Sequence, residues 1–136
     1  MFATMLALAA PVYFPAPARG DSPRPFSEAV QVGDVLYLSG QIGIRDDGTL
    51  PDGIGAQSRQ MMSNIGATLK KRGIGWGDVF HCIVMLDDMA DWPAFNSVYV
   101  PYFPAGKLPA RSALGADGLA LSARVEMECK AYIGSR

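Results

Sequence analysis

Arg111 sits in Pro109-Ala110-Arg111-Ser112-Ala113-Leu114, between a proline and a run of small and apolar residues. After it, no charged side chain follows in sequence until Asp117 and Arg124. A lone arginine is usually a solvated loop residue. The alternative is that an anionic ligand is meant to meet it, because a guanidinium fork matches a carboxylate with two parallel hydrogen bonds and stays charged. Other chemistries find less support. His81 is the one histidine and falls inside an apolar run, so a Ser-His-Asp arrangement has no good place for its base. One histidine and two distant cysteines, Cys82 and Cys129, give no metal-ligand spacing, and no metal is expected. Glu126 belongs to an alternating charged face, where it reads equally as one rung of a solvated ladder.

The elements that must position these residues are legible in outline. The 136 residues, 49% hydrophobic and 18% charged, suit one domain with one core. Five prolines between residues 11 and 25 mark an extended lead-in, with an edge strand over residues 12–14. Two strands flank a Gly33-Asp34 turn, and residues 40–44 carry the chain to a turn at Asp46-Asp47-Gly48. Met62, Ile65 and Leu69 predict a helix over residues 56–72, with Gly73 after its last turn. Val79–Leu86 reads as a central strand buried on both faces. Asp91 is the expected N-cap of a second helix, whose stripe of Phe95, Val98, Tyr99, Tyr102 and Phe103 is core; Pro101 should kink it. Residues 124–133 alternate strictly as a last strand. The order β-β-β-α-β-α-β predicts an α+β two-layer sandwich, a mixed sheet with two helices on one face. A lead-in spans residues 1–24 and the domain residues 25–136.

Charge and cysteine usage bound the partners. Twelve basic against 13 acidic residues give −1, with no basic stripe, so nucleic acid is not an expected partner. The apolar start, Met1 to Ala10, is too short to span a membrane and has no positive charge before Arg19. The cysteines fall in predicted strands and read as free, buried thiols, which favours the cytoplasm. Export stays open if residues 1–10 are a signal-peptide remnant.

Four segments together resemble the RidA (YjgF-like) family of reactive intermediate imine deaminases. They are Pro25-Phe26-Ser27-Glu28-Ala29, Leu38-Ser39-Gly40-Gln41-Ile42-Gly43, Phe95-Asn96-Ser97-Val98-Tyr99 with Tyr102-Phe103, and Pro109-Ala110-Arg111-Ser112 followed by Val125-Glu126-Met127-Glu128. The resemblance covers about residues 25–133. It implies a chorismate-mutase-like fold and a homotrimer with pockets between subunits. It further implies hydrolysis of 2-imino acids, such as 2-iminopropanoate and 2-iminobutanoate, or their enamine tautomers, to 2-oxo acids and ammonia, without a cofactor. Under it Arg111 would bind the substrate carboxylate and Glu126 would orient water and move its proton. Phe26, Ser39, Gly40, Asn96, Trp92 and Ala113 would line the pocket. Departures are Phe26 for the family's tyrosine, Arg24 before Pro25, Ala113 where many members have cysteine, and Asp117. The competing reading is a trimeric binder of small carboxylates, such as 2-oxo acids, without turnover.

Overall fold

The computed structural model describes residues 9–134. Seven strands form one mixed sheet: β1 Val12–Pro15, β2 Ser27–Val32, β3 Val35–Leu38, β4 Gln41–Ile42, β5 Val79–Leu86, β6 Ala110–Gly115 and β7 Val125–Tyr132. The order is β1-β2-β3-β7-β5-β6, with β4 also pairing β7. Two helices, α1 Ile54–Lys71 and α2 Trp92–Tyr99, pack against it. This is the α+β two-layer arrangement expected from the order of elements. The lead-in joins the sheet, since β1 pairs antiparallel with β2. The hydrophobic start lies, but for Ala9 and Ala10, outside the described residues.

Alternation builds the core. Val125, Met127, Cys129 and Ala131 of β7 point to the helices and are buried. Met61, Met62, Ile65 and Leu69 of α1 meet them, as the helical spacing requires. Gly73 takes φ 73 and ends α1, while Ile74 N–H donates to Leu69 O at 3.2 Å. α2 stops at Tyr99, and Val100–Tyr102 tightens into a 3-10 turn holding Pro101, so the expected kink is present.

Four expectations are corrected. Ala110-Arg111-Ser112, after Pro109, is not a loop but the start of β6, which pairs parallel with β5. Its alternation is hard to see because small residues carry it. β5 is buried on one face only: Cys82, Val84 and Leu86 are covered, while His81, Ile83 and Met85 on the other face stay half-open. Asp91 does not cap α2 through its side chain. Its carboxylate accepts from Arg124 Nε at 2.9 Å and Nη2 at 3.0 Å instead. Finally, Cys82 and Cys129 are not free thiols. They stand directly opposite on antiparallel β5 and β7, on the helix-facing side, 4.1 Å apart at Cα, and form a disulfide. That pairing depends on strand register, which connects residues 47 apart in sequence.

Candidate active site

β6 carries Arg111 in register with Cys82, so its side chain leaves the sheet on the helix side. There it lies over three rings of α2. The guanidinium carbon is 4.7 Å from the Tyr99 ring centroid, 4.8 Å from Trp92 and 5.9 Å from Phe95. Nη1 donates to Asn96 Oδ1 at 2.8 Å. No carboxylate pairs with it among the described residues. A cation stacked on ring faces and held by one neutral amide is fixed in place with its charge unneutralised. The remaining guanidinium N–H groups are available to an anion. The aromatic stripe of α2 is therefore both core and arginine platform. Burial pushes the Tyr99 phenol up, and the Arg111 charge offsets part of that shift. Ala113, two residues on, shares the Arg111 face and packs against the core.

Glu126 belongs to a second cluster. It lines a cleft of about 680 Å³ with Phe26, Gly40 and Gln41, and the same cleft reaches Asn64, Ala67 and Thr68 of α1. Burial pushes its carboxyl pKa up, and the Glu128 charge adds to the rise. Gly40 is there because a Cβ at that position would run into Glu126 Oε1. Phe26 is 47% exposed and forms part of the wall. Ser39 braces rather than lines the cleft. Its hydroxyl donates to Ser27 O at 2.6 Å and its N–H to Glu28 O at 3.1 Å, which anchors the segment bearing Phe26. Glu28 is spent on α1, accepting from Lys71 Nζ at 2.9 Å and Thr68 Oγ1 at 3.1 Å.

The two clusters do not meet within one chain. Arg111 is level with Cys82 and, across β5, with Cys129. Glu126 is three residues from Cys129 on β7, so alternation turns it to the other face. β5 also lies between β6 and β7, a lateral offset of about 10 Å. The structure thus groups Arg111 with Asn96, Trp92 and Ala113, and groups Glu126 with Phe26 and Gly40. Sequence reasoning missed Tyr99 and Phe95 as the arginine's floor, although their i, i+4 spacing was visible. It also passed over Arg19 and Arg45, which line the Glu126 cleft.

Residues 18–133 match the family model described as Endoribonuclease L-PSP. The chain belongs to this family. Within it, the chain is 38% identical over 112 residues to a mouse protein named 2-iminobutanoate/2-iminopropanoate deaminase, covering 81% of this chain and 82% of that one. A RutC family protein of Pyrococcus horikoshii is 38% identical over 110 residues, covering 79% and 86%. Among solved structures, RidA from an Antarctic Psychrobacter superposes with a TM-score of 0.78 at 34% identity, covering 87% of this chain and 94% of the other. The RidA resemblance carried by the four segments, and the fold it implied, are thereby borne out for this L-PSP family member.

Proposed function

We propose that this protein is a hydrolytic deaminase of 2-imino acids, working as a homotrimer whose sites form between neighbouring copies. The observation that carries it is the complementary pair of half-sites. One is an arginine with no carboxylate of its own, held on an aromatic platform. The other is a carboxylate with a raised pKa in an open cleft. They lie on opposite faces of the sheet, so a small substrate touching both needs two copies. The face turned from the helices fits such an assembly, because Tyr37, Leu114 and Tyr132 on it are each more than 40% exposed. Deaminase relatives in the same family support the reading.

In the proposed reaction Arg111 binds the carboxylate common to every 2-imino acid. Glu126 accepts a proton from water as its oxygen attacks the imine carbon. The nitrogen takes a proton, the C–N bond breaks, ammonia leaves, and the 2-oxo acid remains. A raised carboxyl pKa suits a group that must both take and return a proton. The family's endoribonuclease name finds no echo in a net charge of −1. Among the described residues no helix is long and apolar enough to cross a membrane. The cytoplasmic expectation drew on free thiols, and the Cys82–Cys129 bond withdraws that support. The test is turnover of freshly generated 2-iminopropanoate, with surviving imine trapped by semicarbazide. Faster loss of imine with protein present is expected. Carboxylate binding without turnover would mean a binder instead.

A further inference from the structure

The Glu126 cleft carries more positive charge than water activation requires. Its charged lining is Arg19, Arg24, Arg45 and Lys71 against Glu28, Asp46 and Glu126. Lys71 is engaged by Glu28, and Arg45 interacts with the Asp47 charge while its Nη1 donates to Thr49 Oγ1 at 3.3 Å. Arg19 and Arg24 remain. Both are half-buried, and neither guanidinium has a hydrogen bond or ion pair among the described residues. Neither sits on loose backbone. Pro25 follows Arg24, with the Arg24 guanidinium carbon 6.0 Å from the Phe26 ring centroid. Arg19 and Ser22 exchange backbone hydrogen bonds of 3.1 and 3.2 Å. A three-carbon imine, its carboxylate already taken by Arg111, offers these cations nothing and fills little of a cleft of about 680 Å³.

We propose that Arg24, assisted by Arg19, binds a second carboxylate at the far end of the substrate, so that the preferred substrates are 2-imino dicarboxylic acids. The inference rests on the deaminase reading and names its substrate class. The step is unchanged: the dicarboxylic imine and one water give the 2-oxo dicarboxylate and one ammonia, with no redox partner. Arg24 is a specificity residue here. It touches the part of the substrate that does not react, and two unpaired cations in the cleft lining select the charge of the side chain accepted.

The test compares 2-iminosuccinate, made in place by aspartate oxidation, with 2-iminopropanoate, made by alanine oxidation. Wild type should show the higher kcat/KM on iminosuccinate. Arg24→Gly should lower the ratio of the two kcat/KM values at least tenfold, with Arg24→Lys between them, in protein whose assembly and circular dichroism match wild type. Arg19→Ala should lower the ratio less. A ratio unmoved in the Arg24→Gly, Arg19→Ala double variant overturns the inference while leaving the deaminase reading intact. Turnover of neither imine by wild type overturns the deaminase reading instead. The subsite is then judged by calorimetry with 2-oxoglutarate and 2-oxobutanoate: equal affinity for the two overturns it, and a 2-oxoglutarate preference lost in the double variant upholds it.

Discussion

Arg111 donates from Nη1 to Asn96 Oδ1 at 2.8 Å, and this hydrogen bond helps orient a guanidinium that no carboxylate among the described residues neutralises. The pair joins the start of β6 to a half-buried flank of α2. It fixes which edge of the fork faces outward. Arg111→Lys should therefore lose at least about 100-fold in kcat/KM, roughly 2.7 kcal/mol of barrier, because an ammonium cannot make the two-pronged contact. Asn96→Ala should cost less and act mainly on KM, since the arginine keeps its charge and its aromatic floor. Steady-state kinetics on 2-iminopropanoate separate the two. Wild-type rates in assembled Arg111→Ala protein would mean that the arginine is only a surface residue.

The raised pKa of Glu126 makes a signed pH prediction. Its first cause is burial and its second the charge of Glu128. As a base it must be ionised, so kcat/KM should fall on the acid side through the raised pKa. Glu128→Gln removes the repulsion and should move that limb to lower pH. The same shift affects stability. A carboxyl whose folded pKa lies above its unfolded value favours the fold at low pH, and that contribution is lost as pH rises through the folded pKa. Glu126→Gln should then melt no lower than wild type at pH 7, with the difference shrinking toward pH 4. A melting temperature clearly below wild type at pH 7 would contradict the burial argument.

Gly40→Ala tests the close approach of the Gly40 backbone, just before β4, to Glu126 of β7. The added methyl would meet the Glu126 carboxylate, a side-chain end that can move aside. The fold should survive, and kcat should drop about tenfold, roughly 1.4 kcal/mol, because the carboxylate leaves its position. Unchanged kcat would show that Glu126 need not stay where the structure has it.

The Cys82–Cys129 bond closes a long loop, so replacing both residues with alanine should cost about 2–4 kcal/mol of stability. Denatured, unreduced protein should show no free thiol to a colorimetric reagent, and reductant should lower the melting temperature. Two reactive thiols without reductant would restore the free-cysteine reading.

Light scattering checks the assembly. A species of about three times the 14.5 kDa chain mass is expected. A monomer at micromolar concentration would separate Arg111 from Glu126 and remove the proposed site.

Much of this was legible in the sequence where one element speaks for itself. β7 alternates without a break, α1 has its apolar spacing and cationic last turn, and β5 has the boundaries its apolar run marks. What stayed hidden depends on how elements meet. Ala110–Gly115 is too small-residued to show a strand period, and only its parallel pairing with β5 makes it one. The same blindness to register hid the disulfide and the placing of Arg111 and Glu126 on opposite faces. Asp91 was misread because a nearby backbone N–H is visible in sequence, whereas Arg124, 33 residues on, is not. The chemistry-bearing residues were legible because charge without company stands out in a sequence; their division into two half-sites was not.

The disulfide also makes the chain a lasso. Trp92, Asn96, Arg111 and Glu126 all lie inside the covalent ring closed by Cys82 and Cys129, while Phe26 and Gly40 lie on its tail. A protease cut near the exposed Leu108 would open the ring without releasing a fragment. The nicked protein would run as one piece on a denaturing gel until reductant split it in two. Both half-sites could then outlast a broken backbone, held by one sulfur–sulfur bond at the centre of the sheet.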